Sequence, residues 1–157
     1  MIIKNPIAAD IASPDHISDF LLSECREMGD VLTNLKLQKL LYYAQAWYLA
    51  LEDRAIFHEE FQAWVHGPVL LSQYHRFSHF SWRPIDLNVR RPNAIPRKIM
   101  NHLGEIIRVF GTETAIGLEI MTHQEMPWKT ARRGLSPDRP SNVVISKASM
   151  KDFYKHV

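Results

Sequence analysis

The chain of 157 residues contains a single cysteine, Cys25. One thiol cannot form a disulfide within the chain, so a disulfide-stabilised secreted domain is excluded and a reducing compartment, the cytoplasm, is expected. A chain of this length can bury a sizeable hydrophobic core without a crosslink. We therefore expect one cytoplasmic domain that spans residues 1–157.

Glycine is also scarce, with six residues in the whole chain. Loops that bind phosphate groups need several glycines at fixed spacing, and the sequence has no P-loop, no Gly-x-Gly-x-x-Gly and no Gly-x-Ser-x-Gly. The acidic residues, among them Glu59, Glu60, Glu119 and Glu125, show no spacing that marks a catalytic pair. The sequence therefore predicts neither an enzyme nor a cofactor.

Long hydrophobic runs are missing as well. The most apolar stretch, residues 32–51, is interrupted by Lys36, Gln38, Lys39 and Gln45, which argues against a membrane span. The first 18 residues, MIIKNPIAADIASPDHIS, contain acids and no long apolar core, so no signal peptide is expected. We expect no membrane partner.

Net charge is small, at +2, but it is unevenly distributed. Residues 1–62 contain 5 Lys and Arg against 10 Asp and Glu, whereas residues 63–157 contain 14 against 7. Either the two halves pair with each other in the fold, or the basic half prefers a charged partner.

Helical periodicity is what the sequence has in abundance. Apolar residues recur at helical spacing between residues that commonly begin or end helices. The predicted helices run from Ser13 or Asp15 to Gly29, from Thr33 to about Leu51, from Pro96 to Gly111, over residues 112–123, and from Ser146 to Tyr154.

Two short extended segments, around residues 60–65 and 143–145, are rich in aromatic and β-branched side chains and predict brief strands. Gly67 permits a tight turn, and Pro68 fits the first position of a further helix. Residues 81–96 and 124–141 predict irregular segments. The expected fold class is mainly α: a single compact helical domain with a minor short β element.

The helix expected from Thr33 carries two apolar stripes. Its main face holds seven apolar or aromatic residues and a second stripe lies roughly opposite, which is typical of a helix packed on both sides. Either neighbouring elements of the same chain cover the second stripe, or its row beside Tyr42 contacts another protein. The main face comprises Leu37, Leu40, Leu41, Ala44, Trp47, Tyr48 and Leu51, and the second stripe comprises Leu35, Tyr42, Ala46 and Leu49.

His75 and His79 lie four residues apart on the helix predicted after Pro68, a spacing found in metal sites. No third ligand is apparent nearby, and the glutamate of a zinc-protease motif is missing from the sequence HRFSH. Two exposed histidines are the simpler interpretation, so we expect no metal.

Arginines concentrate in two runs, of which the first is interleaved with Trp82. Such runs form a solvated basic face, a surface for an acidic protein, or a nucleic-acid interface, although no helix-turn-helix signature accompanies them. The first run contains Arg83, Arg90, Arg91, Arg97 and Lys98, and the second contains Arg132, Arg133 and Arg139.

Four segments then form a specific pattern. LTNLKLQKLLYYAQAWYLA is followed by FHEEFQAWVHGPV and LSQYHRF, and later by LEIMTHQEMPWKTAR. Together, from about Asp15 to Arg132, they resemble the Panacea domain, the SocA- and GepA-like family of phage-associated antitoxins. The matching positions are Lys39, Leu40, Leu41, Tyr42, Trp47, Trp64, Gly67, Pro68, Val69, Pro127, Trp128 and Lys129.

The resemblance implies a small, mainly helical protein encoded beside a toxin gene. Family members neutralise a toxin by binding it, and one also delivers its toxin to a protease. The expected partners are therefore a cognate toxin and, in the extended hypothesis, a cytoplasmic protease. A nucleic-acid-binding regulator of its own operon is the alternative. Many family members carry an added segment; this chain is expected to be the bare domain.

The motif residues divide into two groups by what their chemistry allows. Lys39 and Tyr42 lie off the main apolar face, so we expect them on a partner-binding surface, together with Arg90, Arg91, Lys129 and Arg132. Trp64 and Trp128 are expected to pack against one another across the core. The residues expected to be structural are Leu40, Leu41, Trp47, Trp64, Gly67, Pro68, Val69, Pro127 and Trp128.

Overall fold

The structure is a computed structural model that describes residues 9–157. The amino-terminal eight residues, part of the segment for which no signal peptide is expected, lie outside the described part. Within residues 9–157, seven α-helices and three strands confirm the expected mainly α class with a minor β element. In chain order these are α1 Pro14–Glu27, α2 Asn34–Glu52, β1 Phe61–Trp64, β2 Gly67–Leu70, α3 Leu71–Arg76, α4 Arg97–Phe110, α5 Ala115–Gln124, α6 Met126–Arg132, β3 Val144–Ile145 and α7 Lys147–Lys155.

Polar side chains begin four of the helices where the sequence provides them. The hydroxyl of Ser13 accepts a hydrogen bond from the His16 N–H at 3.1 Å, and that of Thr33 accepts one from the Lys36 N–H at 3.2 Å. Thr114 and Ser146 cap α5 and α7 in the same way. Each cap satisfies a backbone donor that the first turn leaves free, so the expected helix starts at Ser13, Thr33 and Ser146 are confirmed.

α2 is the central helix, since α1, α4, α5, α7 and β2 all pack against it. Both of its stripes are largely covered: in the second stripe Tyr42, Ala46 and Leu49 are buried, and Leu35 is half-buried. Coverage by the same chain is therefore confirmed, and the expectation of an exposed row beside Tyr42 is wrong. Leu51, expected in the core, is exposed because it lies in the last turn.

β1 pairs with β2 on one side and with β3 on the other, both antiparallel. The helix expected to begin at Pro68 is wrong, because Pro68 lies on the edge strand β2 opposite Ala63. The Ala63 N–H points away from β2 and donates to the Val143 carbonyl at 2.8 Å. The Ala63–Pro68 pair therefore needs no ladder hydrogen bond, and an edge strand tolerates the missing N–H of proline there.

Two further expectations change. Residues 126–132, expected as part of a loop, form α6, which begins with Pro127 in its first turn. α3 ends at Arg76, so His75 and His79 do not share a helix, and His79 lies in a 3₁₀ turn over Ser78–Phe80. α3 and α6 are both short, and neither begins with a side-chain cap that could be recognised in the sequence.

The uneven charge distribution is largely neutralised within the molecule. Arg76 pairs with Asp19 at 2.6 Å, and Lys98 pairs with Glu52 at 2.7 Å. Three further cations of the basic half contact acids of the first half. These are Arg91 with Glu24, Lys147 with Glu60 and Lys151 with Asp53. The interpretation that the halves pair with each other is therefore the one that the fold realises.

Residues 81–96 are irregular, as expected, although Ile85 and Ile95 anchor the segment in the core. Across residues 9–157, no helix combines the length and the apolar character needed to cross a bilayer.

Gly67 gives a test of the close approach between the β1–β2 turn and α2. Its φ is +101°, and an added Cβ would lie 2.5 Å from Lys39 Cε. Left-handed strain and overpacking together predict that Gly67→Ala lowers the free energy of unfolding by about 3 kcal/mol or more. Gly29→Ala is the matched control: φ is +86° but no heavy atom lies within 4 Å, so about 1 kcal/mol is expected. Chemical denaturation measures both, and equal losses would contradict the contact.

Candidate functional site

Residues of α2, of the hairpin formed by β1 and β2, and of α5 surround one buried lysine. Lys39 has no surface accessible to solvent, and its ammonium donates to the Pro68 carbonyl at 3.2 Å. The missing side chain of Gly67 leaves the space that the end of Lys39 occupies, since a Cβ there would also lie 2.9 Å from Thr122 Oγ1. Lys39, Gly67 and Pro68 thus form one structural unit, and the expectation that Lys39 lies on an exposed surface is wrong.

Gln38 and Lys39 together close the free edge of β2. The Gln38 side-chain carbonyl accepts a hydrogen bond from the Leu70 N–H at 2.9 Å, while Lys39 donates to Pro68. An open strand edge exposes backbone donors and acceptors that other chains can pair with. Here two side chains of α2 form hydrogen bonds with the backbone groups on that edge. Sequence reasoning missed Gln38, although a glutamine between buried leucines was a usable signal.

Burial lowers the pKa of the Lys39 ammonium to about 7, and the nearby Glu119 carboxylate only partly opposes the shift. Removing an ammonium from water is costly unless counter-ions and hydrogen bonds replace the lost hydration. Lys36, one turn earlier on α2, receives that compensation. It donates to the Asp30 carboxylate at 2.8 Å and to the Gly111 carbonyl at 2.7 Å.

A cavity of about 300 Å³ lies beside Lys39, between α2, the hairpin and the segment that follows β2. The Trp64 and Tyr74 rings meet edge to face on its wall, with centroids 4.8 Å apart. His66, at its rim, pairs with Glu119 at 2.5 Å. Three motif residues, Lys39, Trp64 and Val69, are therefore among those that line this partly apolar cavity, although the Lys39 side chain has no accessible surface.

Tyr42 belongs to a buried polar cluster and not to the surface. The Tyr154 hydroxyl lies 3.1 Å from the Tyr42 hydroxyl and 3.0 Å from Glu125 Oε1, and the Tyr43 hydroxyl donates to the same oxygen at 2.5 Å. Burial raises the pKa of Glu125, and the hydrogen bonds from Tyr43 and Tyr154 partly oppose this. The cluster links α2 to α7 and to the start of α6.

Arg132, expected on the partner-binding surface, is buried. Its guanidinium donates to the Ala63 carbonyl at 2.9 Å and to the Ser136 carbonyl at 3.0 Å, and lies over the Trp128 ring. These contacts connect the segment after α6 to β1. Arg132 is therefore a structural residue. Its place in a run of basic residues had suggested that it was exposed.

Trp64 and Trp128 are linked differently from the expected ring-to-ring packing. The Trp128 indole N–H donates to the Trp64 carbonyl at 2.8 Å, and its ring stacks on His123 with centroids 4.1 Å apart. Among the other motif residues, Leu40, Leu41, Val69 and Pro127 are buried, and Trp47 is half-buried against Tyr154.

The remaining candidates, Arg90, Arg91 and Lys129, are exposed. Arg91 pairs with Glu24 and lies over the Phe20 ring at 5.0 Å, so part of its charge is used within the molecule. Over residues 9–157, Arg90 and Lys129 form no ion pair. Nor do three histidine, cysteine or acidic side chains meet in the described part of the chain in a way that would hold a metal ion.

The sequence matches the family model described as "Antitoxin SocA-like, Panacea domain" over residues 37–129. The matched block contains nearly all of α2, the hairpin, and the helices α3, α4 and α5, and it ends within α6. The chain therefore belongs to the SocA-like, Panacea-domain antitoxin family. No curated protein and no solved structure matches the chain.

Lys39 gives the fold a testable pH dependence. An unfolded lysine holds its proton up to about pH 10.4, whereas the folded one releases it near the lowered pKa of about 7. Between these values the unfolded state binds more protons, so stability rises with pH. Relative to Lys39→Met, we expect the free energy of unfolding to increase by up to about 1 kcal/mol per pH unit between about pH 7 and 9.

Urea denaturation of both proteins across this range measures the difference. Parallel stability curves would show that Lys39 keeps its proton in the folded protein. Lys36→Met is the matched control, because its ammonium has the Asp30 counter-ion, and its curve should run parallel to that of the unmodified chain.

Tyr42 provides a second test, which distinguishes a structural role for this residue from a place on an exposed binding surface. Tyr42→Ala removes a buried ring that contacts Tyr43, Phe61 and Tyr154 edge to face. Loss of such a ring costs about 3–5 kcal/mol of stability. Tyr42→Phe keeps the ring and should cost about 1–2 kcal/mol, the scale of one buried hydrogen bond. Thermal unfolding measures both, and a Tyr42→Ala protein as stable as the original would contradict the buried position.

Proposed function

We propose that this chain neutralises a toxin protein by binding to it directly. The observation that carries the proposal is the family match over residues 37–129, which names an antitoxin-like domain. Binding requires a complementary surface and no catalytic group, which agrees with the expectation of a non-enzymatic protein. Delivery of the bound toxin to a protease is an extension of the same proposal, since an adaptor also works through binding surfaces.

The exposed side chains, and not the buried motif, are the candidates for direct contact. Trp82 stands out, because 81% of its surface is accessible to solvent in an irregular segment anchored at Ile85 and Ile95. Tryptophan and arginine are the residues that most often dominate protein interfaces. We therefore place the toxin-binding surface on residues 81–96, with Trp82 and Arg90 as its main anchors.

Charge supports an acidic partner surface. Arg90 is exposed and its charge is not paired within residues 9–157. Lys129, on α6, is a second exposed cation of the same kind. Two cations of the basic run, Arg91 and Lys98, are already paired with Glu24 and Glu52, which weakens the alternative of nucleic-acid binding, where many free cations must face the phosphates.

The test is rescue of growth from the toxin encoded beside this gene, combined with calorimetric binding of the purified pair. Trp82→Ala and Arg90→Glu should each weaken binding at least about tenfold, since an interface anchor contributes about 2 kcal/mol or more. Both positions are exposed, so the melting temperature should stay unchanged. Lys129→Glu tests the second cation and should weaken binding less.

Matched controls come from exposed residues elsewhere in the structure. Met28→Ala removes a side chain that is 68% exposed, and Arg54→Glu reverses an exposed charge. Both should bind the toxin normally. If the purified protein does not bind the toxin encoded beside its gene, the proposal is wrong. If it binds DNA instead, with an affinity that falls steeply as salt rises, the operon regulator is favoured.

A further inference from the structure

The three-stranded sheet has two outer edges, and α2 closes one of them. On β2, side chains of α2 form hydrogen bonds with the backbone of Pro68 and Leu70. The other outer edge belongs to β3, at the opposite side of the β2–β1–β3 sheet. There Val143 and Val144 expose 46% and 42% of their surface. This second edge is therefore accessible from outside the molecule.

The register of β1 and β3 fixes which backbone groups point outward. The Ala63 N–H donates to the Val143 carbonyl, and Gln62 lies opposite Val144. Hydrogen-bonded and non-hydrogen-bonded pairs alternate in an antiparallel ladder, so the N–H and the carbonyl of Val144 point away from β1. No other backbone group in residues 9–157 is hydrogen-bonded to them.

The residue after β3 extends this edge. Ser146 is also exposed, and its backbone is extended, with φ −67° and ψ 141°. Because it lies two residues after Val144, its N–H points to the same side. Three backbone groups in a row, two donors and one acceptor, are thus presented to solvent along the outer edge of β3.

Positive charge lies beside the amino-terminal end of this edge. The Arg132 guanidinium donates to the Ala63 carbonyl at 2.9 Å and to the Arg139 carbonyl at 2.5 Å, so the backbone of Arg139 is held next to the β1–β3 pair. Arg133 and Arg139 are exposed, and neither forms an ion pair within the described residues. The one acid between them in the sequence, Asp138, leaves an excess of positive charge.

We propose that β3 accepts a further antiparallel strand from another protein, supplied by an extended segment with β-branched residues at its centre and acidic residues at its carboxyl-terminal end. Main-chain hydrogen bonds to an open edge are a common way of binding an extended peptide. Antiparallel addition places the carboxyl-terminal end of the new strand beside Arg139, because Arg139 precedes β3. A β-branched residue opposite Val144 adds a favourable cross-strand pair.

A second copy of this chain does not fit the same edge. Antiparallel pairing of two β3 edges would place Arg139 of each copy beside the residues that follow Val144 in the other. That stretch begins α7 with Lys147 and contains no acid before Asp152. Like charges would then face each other, whereas an acidic segment of a different protein complements the arginines. The proposal involves no toxin and goes beyond the proposed function.

The probe is the acetylated and amidated peptide Thr-Val-Thr-Val-Glu-Glu, titrated into the folded, ¹⁵N-labelled protein at low ionic strength. We expect saturable shifts of the backbone amide resonances of Val144 and Ser146, and exchange of the Val144 amide hydrogen slowed at least about tenfold at saturation. The peptide Thr-Val-Thr-Val-Lys-Lys should bind more weakly. No saturation by about 10 mM peptide, or equal binding of the lysine peptide, would overturn the proposal.

Val144→Pro removes the outward N–H, and no hydrogen bond within the described chain is lost, since an edge strand tolerates proline at such a position. Its melting temperature should stay unchanged and the peptide response should disappear. Val144→Thr, the matched control, keeps the N–H and the branched side chain and should respond normally. An undiminished response in folded Val144→Pro would overturn the proposal.

Arg139→Glu tests the charge and should weaken peptide binding about fivefold. If Val144→Pro does not fold, this variant and the lysine peptide decide, and unchanged affinity in Arg139→Glu would contradict the proposed acidic partner. A Val144 amide that is already protected in the free protein, together with dimers in sedimentation, would assign the edge to a second copy and overturn the proposal. Because no toxin is present, the result is independent of the proposed function.

Discussion

Burial of Lys39 against the Gly67–Pro68 turn is the constraint on which the rest of the structure depends. The ammonium and the neighbouring Gln38 amide satisfy the outer edge of β2, so the small sheet is attached to α2 through its backbone. Glycine is favoured at position 67, because its φ is +101° and a Cβ there would lie 2.5 Å from Lys39 Cε. Once the hairpin is fixed, β1 provides the edge for β3 and the carbonyls that receive Trp128 and Arg132.

The helices were predictable where two independent signals coincided, a capping residue and a run at helical spacing. Ser13, Thr33 and Ser146 are such cases. β2 was not, because glycine followed by proline has the same local chemistry at a helix start as at an edge strand. What decides between them is the pairing of Pro68 with Ala63 and the hydrogen bonds from Gln38 and Lys39 to β2, which come from α2 and are absent from the local sequence.

The sequence analysis named several of the residues that form the site, but it placed them on the surface and not in the interior. A lysine and a tyrosine off the main apolar face of a helix suggest exposure, since charged and polar side chains usually reach water. On a helix with neighbours on both sides these positions do not face water, and the two apolar stripes of α2 already indicated this. The polar groups of α2 are buried with partners: Gln38 with Leu70, Lys39 with Pro68, and Tyr42 with Tyr154.

An inward-facing motif changes what family membership explains about function. Residues that hold a helix to a hairpin define the fold, and because they are buried they are not available for direct contact with a partner. Under the proposed function, that contact falls to exposed positions such as Trp82 and Arg90. The cavity beside Lys39 is where the buried motif and the surface meet.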